Sequence, residues 1–248
     1  MADALLRLSD VGKRFGGVVA LNGVHLQVCP GEIASVIGPN GAGKTTLFNV
    51  MTGAIAATTG AIEFAGSRIA GLKPHRIVRL GLARTFQNIR LFRSLTVREH
   101  FRLAQHAAAR RGESRDAGTS RMEELLDVLD LRAEEERPAT ELSYGQQRRV
   151  EIGRALATAP KLLLLDEPVA GMSRDETAAI AALLRTLRAR GLTILLIEHD
   201  MSFVMDLCDR VTVLDFGNVI ACGDPASIQR EPRVLEAYLG RESGDAQG

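Results

Sequence analysis

Short apolar runs alternate along the chain with segments of helical periodicity. The N-terminal region favours strands, with apolar positions recurring every second residue over parts of 5–11 and 21–28. The runs 162–165 and 194–197 are wholly aliphatic, as in strands that are buried on both faces of a parallel sheet. Strands that alternate with helices predict βαβ units.

The predicted boundaries follow from this periodicity and from cap and turn residues. The predicted strands are 5–11, 21–28, 32–37, 61–64, 82–86, 161–165, 193–197, 211–215 and 219–222. The predicted helices are 44–51, 144–157, 201–207, one that begins near residue 74, and two short ones within 225–239. A further helix is predicted to begin at a capping box of Ser173 with Glu176 and to end at Gly191.

A glycine-rich loop follows the predicted strand 32–37. Residues 38–45 read Gly-Pro-Asn-Gly-Ala-Gly-Lys-Thr, which fits G-x-x-x-x-G-K-[ST] between a strand and a helix. The backbone N–H groups of such a loop bind phosphates, the lysine reaches the β- and γ-phosphates, and the threonine hydroxyl binds Mg²⁺. A plain glycine turn before a capped helix is the alternative, which the strand–loop–helix context disfavours. The candidate nucleotide-binding residues are Gly38, Pro39, Asn40, Gly41, Ala42, Gly43, Lys44, Thr45 and Thr46.

Two carboxylates end the aliphatic run 162–165. Asp166 and Glu167 come directly after it, at the strand end where ligands lie in open α/β sheets. A helix-capping acid would account for one carboxylate but less readily for two. Together with the phosphate loop, the pair indicates Mg²⁺ binding by Asp166, through water, and general-base activation of a water by Glu167.

Further motifs resemble one family. Residues 142–149, Leu-Ser-Tyr-Gly-Gln-Gln-Arg-Arg, resemble the signature motif of ATP-binding-cassette (ABC) ATPases. Gln87 is similar to the glutamine of the family's Q-loop, His199 to its switch histidine, and Phe15 to the aromatic residue that stacks on adenine. A lone histidine would more often be a core or surface residue, but all these motifs occur in the family's order between residues 6 and 239.

The resemblance implies that two such domains associate head to tail and sandwich two ATP molecules. Each site combines the phosphate loop of one subunit with the signature motif of the other. The signature motif stands at the start of a helix, so it offers a hydroxyl, a backbone N–H and the helix dipole to the γ-phosphate. Gln87 is expected to contact Mg²⁺ and the catalytic water and to couple the site to a permease, and His199 to hold the γ-phosphate. The implied catalytic residues are Glu167, His199 and Gln87. The implied metal ligands are Thr45, Gln87 and Asp166. The residues implied to bind ATP together with the phosphate loop are Phe15, Ser143, Gly145 and Gln146.

The resemblance also implies an α/β fold. We expect a P-loop NTPase core with a mainly parallel sheet, an N-terminal antiparallel β-subdomain and an inserted α-helical subdomain. Residues 1–248 would form one domain, with the core at about 1–87 and 160–248 and the helical subdomain, including the signature motif, at about 88–159. The periodicity agrees, because residues 88–131 show helical spacing and no convincing strand.

Two positions depart from the family pattern. Tyr144 stands where the signature motif has its first glycine, although Ser143 and Gly145 on either side of it are retained. Ser173 stands where the loop after the catalytic glutamate has an aspartate. Communication across the implied dimer through Ser173 is therefore left open.

Three segments narrow the resemblance to one branch. Residues 84–92, 197–201 and 234–240 are similar to the ATPase subunit of branched-chain amino-acid importers. This implies permease partners, an indirect periplasmic solute-binding protein, and a place at the cytoplasmic face of the inner membrane. ATPases of urea or amide importers and of lipopolysaccharide exporters are similar enough to remain alternatives. A soluble cassette ATPase acting on nucleic acid or ribosomes is disfavoured, because the chain has one cassette and no heptads.

Composition excludes several other classes of protein. Of the 248 residues, 46% are hydrophobic and 25% charged, which is typical of soluble globular proteins. No run approaches the 18 apolar residues of a membrane span, and the N-terminal residues do not have the order of a signal peptide. Three widely spaced cysteines make a disulfide framework or a zinc site improbable and favour a reducing cytosol.

A net charge of +1 conceals two segments of opposite sign. Residues 73–115, the basic segment, contain eleven Lys or Arg and two acids, and residues 116–136, the acidic segment, contain eight acids and two Arg. These charges form either a solvated surface in which opposite charges lie side by side or a basic face for an anionic surface.

Overall fold

A computed structural model describes residues 4–110 and 112–242. Arg111, counted in the basic segment, and the N-terminal residues 1–3 lie outside the described residues. Within the described ranges the strands are β1 (Leu6–Phe15), β2 (Val18–Val28), β3 (Ile33–Ile37), β4 (Thr59–Phe64), β5 (Ser67–Arg68), β6 (Leu82–Arg84), β7 (Leu162–Asp166), β8 (Thr193–Ile197), β9 (Arg210–Asp215) and β10 (Asn218–Gly223). The helices are α1 (Lys44–Met51), α2 (Pro74–Leu80), α3 (Val97–Ala109), α4 (Arg115–Val128), α5 (Tyr144–Leu156), α6 (Arg174–Ala189), α7 (Met201–Leu207), α8 (Pro225–Ile228) and α9 (Pro232–Glu242).

The chain divides into two compact units. The first unit comprises the described residues of 1–74 and 193–248, and the second comprises those of 75–192. The segment 88–159, predicted as a helical subdomain, lies within the second unit, which also contains α2, β6, β7 and α6.

An antiparallel sheet in the first unit has the strand order β2-β1-β4-β5. Leu6 and Leu8 of β1 are buried, as the alternation predicted, and Val11 is buried beyond a register shift that follows Leu8. The hairpin continues past the predicted ends, to Phe15 and from Val18, because paired residues extend to the turn through several register shifts. Such shifts interrupt the period of two on which the prediction relied.

The second sheet of the first unit explains the aliphatic run 194–197. β3 lies between β8 and β9 and is parallel to both, and β10 pairs with β9 antiparallel. Every residue of β3 and β8 is buried, as expected for central parallel strands.

The second unit packs helices closely and pairs two parallel strands. β6 pairs with β7, so their carboxyl ends meet. Gly153 of α5 faces Phe101 of α3, and a Cβ at Gly153 would lie 2.4 Å from the Phe101 ring. The predicted capping box of Ser173 with Glu176 is confirmed.

The acidic and basic segments pair with each other in the second unit. Arg98 of α3 lies 2.8 Å from Glu123 and 3.2 Å from Glu136, and also contacts Glu135. For Arg98 the structure therefore supports adjacent opposite charges rather than a basic face open to a partner.

His100 of α3 is fully buried. Its Nε2 accepts from the Phe92 N–H at 2.9 Å, so Nδ1 carries the proton toward the Thr96 carbonyl at 2.8 Å. Burial lowers the pKa of His100, against an opposing hydrogen bond to Thr96, while Arg154 lowers it further and Glu99 raises it. Both ring nitrogens thus connect the start of α3 to the loop before it.

This burial predicts acid sensitivity. The unfolded chain takes up the His100 proton near pH 6.5, its ordinary pKa, and the folded chain only at lower pH. Stability from His100 is therefore complete above this pH and lost as the pH falls below it. In urea unfolding between about pH 7.5 and 5.5, we expect wild type to lose more stability than His100→Gln. Equal losses in the two proteins would contradict this.

Among the described residues, none of the helices combines the length and the hydropathy that a membrane crossing requires.

Candidate functional site

The phosphate loop joins β3 to α1 through a backbone that only glycine accommodates well. Gly38, Gly41 and Gly43 have φ values of 150°, 80° and 106°, in the region that L side chains disfavour. A Cβ at Gly38 would lie 2.0 Å from the Leu214 carbonyl oxygen, and one at Gly43 would lie 2.6 Å from that of Ala20. The neighbouring strands β2 and β9 thus fix the loop against the sheet.

Lys44 places its ammonium inside this loop. The residue is only 6% exposed, and its Nζ donates to the carbonyls of Gly38 at 2.6 Å and Pro39 at 3.0 Å. Gly43 at the helix N-cap brings no capping side chain, and the first turn of α1 holds no acid. The loop therefore presents a cation and a helix N-terminus together, which suits a phosphate anion.

Tyr238 of α9 reaches the same loop. Burial raises the pKa of Tyr238 to about 12, and a hydrogen bond from the Gly38 backbone partly offsets the rise. No local pattern in the sequence links Tyr238 to this loop, because Gly38 and Tyr238 lie 200 positions apart.

Phe15 and His199 lie at the surface of the first unit. Phe15 ends β1, is 49% exposed, and has the Lys13 ammonium 4.8 Å from its ring centroid. His199 is exposed two residues after the end of β8. It lies between Glu198, which is buried, and Asp200, which caps α7. Both side chains are accessible to a ligand, and their roles in stacking on adenine and in holding the γ-phosphate stay predictions.

The carboxylates lie in the second unit, where β6 and β7 end side by side. Asp166 is buried, and its Oδ2 accepts from the Arg84 Nη2 at 2.6 Å. The Gln87 Nε2 donates to the Glu167 Oε2 at 2.8 Å. The structure thus brings together three residues that sequence analysis singled out and adds Arg84.

Glu167 occupies a strained backbone position. Its φ is +49°, a left-handed conformation that costs a non-glycine residue about 1–2 kcal/mol. Glycine would adopt this backbone conformation at lower energy than glutamate does. The presence of glutamate therefore suggests that its carboxylate has a function at this position.

The signature segment begins α5. Ser143 caps the helix, and its Oγ accepts from the Gln146 N–H at 3.3 Å while the Gln146 side chain accepts from the Ser143 N–H at 3.1 Å. Ser143, Gly145 and Gln146 line a cavity of about 260 Å³ together with Glu176. Hydrogen bonds from Ser173, and a further one from the Gly145 N–H, lower the pKa of Glu176. A carboxylate of α6 thus lies at the N-terminus of α5.

A family model described as "ABC transporter" matches residues 21–170, which contain both the phosphate loop and the two carboxylates. The chain belongs to this ABC transporter family. A second model, described as "Branched-chain amino acid ATP-binding cassette transporter", matches residues 218–243 of the ABC chain.

Similar curated proteins cover nearly the full ABC chain. One is the high-affinity branched-chain amino acid transport ATP-binding protein BraF of Pseudomonas aeruginosa, 43% identical over 97% of this chain and 99% of that protein. Another is LivG of Escherichia coli, which carries the same description and is 42% identical over the same shares.

Solved structures agree with the predicted fold. A nucleotide-free ATP-binding cassette from an ABC transporter superposes with a TM-score of 0.85 at 32% identity, over 95% of this chain and 99% of that one. The ADP conformation of another such cassette gives 0.85 at 34%, over 96% and 100%. The predicted α/β fold of P-loop NTPase type is therefore confirmed.

Several charged residues that support the site were not predicted from the sequence. Arg84 pairs with Asp166, and Arg148 and Glu151 of α5 are buried as an ion pair. The signal in the sequence was the spacing of Arg148 and Glu151, which are three residues apart and carry opposite charges. Hydrophobic periodicity assigns charged side chains to the exposed face of a helix, so it did not predict that this pair is buried.

Proposed function

We propose that this ABC chain is the ATP-hydrolysing subunit that energises import of branched-chain amino acids through permease partners. The observation that carries the proposal is 43% identity over nearly the full length to a branched-chain amino acid transport ATP-binding protein. The separate match of residues 218–243 to a branched-chain family model supports the same substrate class, because that segment lies outside the catalytic motifs.

The first unit would supply nucleotide binding. The buried ammonium of Lys44, the loop N–H groups and the start of α1 favour the β- and γ-phosphates. Phe15 would stack on adenine, and the exposed His199 would hold the γ-phosphate.

The second unit would supply the chemistry of hydrolysis. Glu167 would take a proton from the attacking water, and Gln87, whose amide already donates to Glu167, would orient that water. Ser143, Gly145 and Gln146 would bind the γ-phosphate held by a second subunit.

The donor atoms of the predicted metal ligands fit Mg²⁺, which prefers oxygen. Asp166 is buried with one oxygen bound to Arg84, which leaves the other oxygen for a ligand water. Asp166, the Thr45 hydroxyl and the Gln87 side-chain oxygen would hold the ion. When bound, Mg²⁺ neutralises charge that develops on the phosphates.

The proposal extends to partners, place and domain organisation. Two such subunits would associate head to tail at the cytoplasmic face of the membrane, bound to permeases that receive solute from a periplasmic binding protein. The segment 88–159 would act as the helical subdomain that carries the signature motif.

Transport gives the test. Reconstituted in proteoliposomes with its permeases and binding protein, the wild-type chain should support ATP-dependent leucine uptake that isoleucine and valine inhibit. Glu167→Gln should abolish the uptake although the complex assembles. ATP-dependent uptake of urea or acetamide without any of leucine would contradict the proposed substrate class.

A further inference from the structure

Tyr144, Arg148 and Glu151 form a polar cluster, the α5 cluster, on one face of α5. The Arg148 and Glu151 side chains are 0% exposed, and Arg148 Nη1 lies 2.9 Å from Glu151 Oε2. Arg148 Nη2 lies 3.3 Å from the Tyr144 hydroxyl. Spacings of four and three residues align these side chains along the helix.

The buried ion pair of this cluster binds the backbone of the segment that follows β6 and carries Gln87, which we call the Gln87 loop. Arg148 donates from Nη1 to the Phe86 carbonyl at 2.9 Å and from Nη2 to the Gln87 carbonyl at 3.0 Å. The Phe86 N–H donates to Glu151 Oε1 at 3.3 Å. The backbone that carries Gln87 is therefore bound to side chains instead of continuing β6, and the Gln87 side chain reaches Glu167 from this position.

Tyr144 extends the cluster to the loop beyond Glu167. Its hydroxyl donates to the Ala170 carbonyl at 3.2 Å, while it accepts from Arg148. Ala170 in turn donates its N–H to the Glu167 carbonyl at 3.3 Å. The glycine that the family pattern has at this position could make neither side-chain contact.

We infer that Tyr144 is a positioning residue that links the Gln87 loop to the backbone after Glu167. Its hydroxyl and Arg148 connect the two loops, and this connection keeps the Gln87 amide within hydrogen-bond distance of the Glu167 carboxylate. A buried ion pair seldom stabilises a fold by itself. What the Arg148–Glu151 pair provides here is the set of hydrogen bonds that fixes the backbone at Phe86 and Gln87. The inference rests on the proposed role of Glu167 in hydrolysis.

Removal of the hydroxyl alone gives the test. Tyr144→Phe keeps the ring and should lower kcat for ATP by at least about two- to tenfold, which the neutral hydrogen bond to the Ala170 carbonyl alone is worth. The KM for ATP and the thermal midpoint should stay near wild type, because the phosphate loop and the core are untouched. Tyr144→Gly, the family residue, should lower kcat at least as much.

A double-mutant cycle separates positioning from a general structural role. If Tyr144 acts through the Gln87–Glu167 contact, Tyr144→Phe should have little further effect on kcat in a Gln87→Ala background. A wild-type kcat for Tyr144→Phe, or the same fold-loss in both backgrounds, would overturn the inference. Wild type and Glu167→Gln are assayed alongside. Absence of hydrolysis by wild type would refute the proposed function itself, whereas normal hydrolysis with an unaffected Tyr144→Phe refutes only the positioning role.

Discussion

Glu167→Gln is expected to lower the rate of ATP hydrolysis by about 10²–10⁴-fold, the contribution of a positioned general base. Glutamine keeps the size of the side chain and an oxygen that can accept from the Gln87 amide, which now donates to Glu167 at 2.8 Å. It cannot take a proton at neutral pH. Phosphate release at saturating MgATP measures the loss.

Binding of MgATP should survive the same substitution. Lys44, the loop amides and Asp166 are unchanged, and loss of a negative charge near the γ-phosphate removes a repulsion. The variant should therefore form an ATP-dependent dimer that wild type, which hydrolyses ATP and reopens, holds only briefly. Size-exclusion chromatography with and without ATP tests this.

Glu236→Gln is the matched control, since it makes the same exchange at an exposed carboxylate of α9. It should leave hydrolysis at the wild-type rate. A Glu167→Gln protein that stays monomeric in ATP and hydrolyses it near the wild-type rate would show that the base lies elsewhere.

The elements predicted best are those whose boundaries local chemistry sets. The helix 44–51, the strand 193–197 and the helix 201–207 are observed with the predicted bounds. Gly43 precedes the first of these helices, and Asp200 caps the second. Because such signals lie within a few residues of the element that they delimit, a single sequence contains them.

Elements whose ends depend on distant residues were predicted less well. β6 ends at Arg84 rather than at Phe86, because both polar backbone groups of Phe86 bind side chains of α5. β5, two residues long, has no periodicity to detect. A period of two also cannot foresee the register shifts that extend the first hairpin.

The candidate site shows the same division between local and distant determinants. The family resemblance implied that Gln87 and Glu167 contact the same water, and the structure places the Gln87 Nε2 2.8 Å from the Glu167 Oε2. The Arg84–Asp166 pair joins residues 82 positions apart, and the Tyr144–Ala170 hydrogen bond joins positions 26 apart. These contacts depend on which strands and helices are neighbours, which local patterns do not encode.

Loss of the lysine in the phosphate loop is the second large effect expected. Lys44→Ala removes the ammonium that is buried in the loop, and the backbone N–H groups offer direction but no full charge. Hydrogen bonds to charged groups are worth about 1.5–3 kcal/mol. The Kd for MgATP should therefore rise roughly 10- to 100-fold, and hydrolysis should fall with it.

The fold should persist in Lys44→Ala, because the glycine backbone, rather than the ammonium, sets the loop shape against Leu214 and Ala20. The Gly38 and Pro39 carbonyls that accept from Lys44 can bind water in a loop whose next residues are exposed. Lys73→Ala, at an exposed lysine of the same unit, is the matched control and should bind MgATP as wild type does. Calorimetry with MgATP compares the three proteins, and circular dichroism checks that each is folded. An unchanged Kd in a folded Lys44→Ala protein would refute the phosphate-binding role of the loop, because no other described group places a full positive charge inside it.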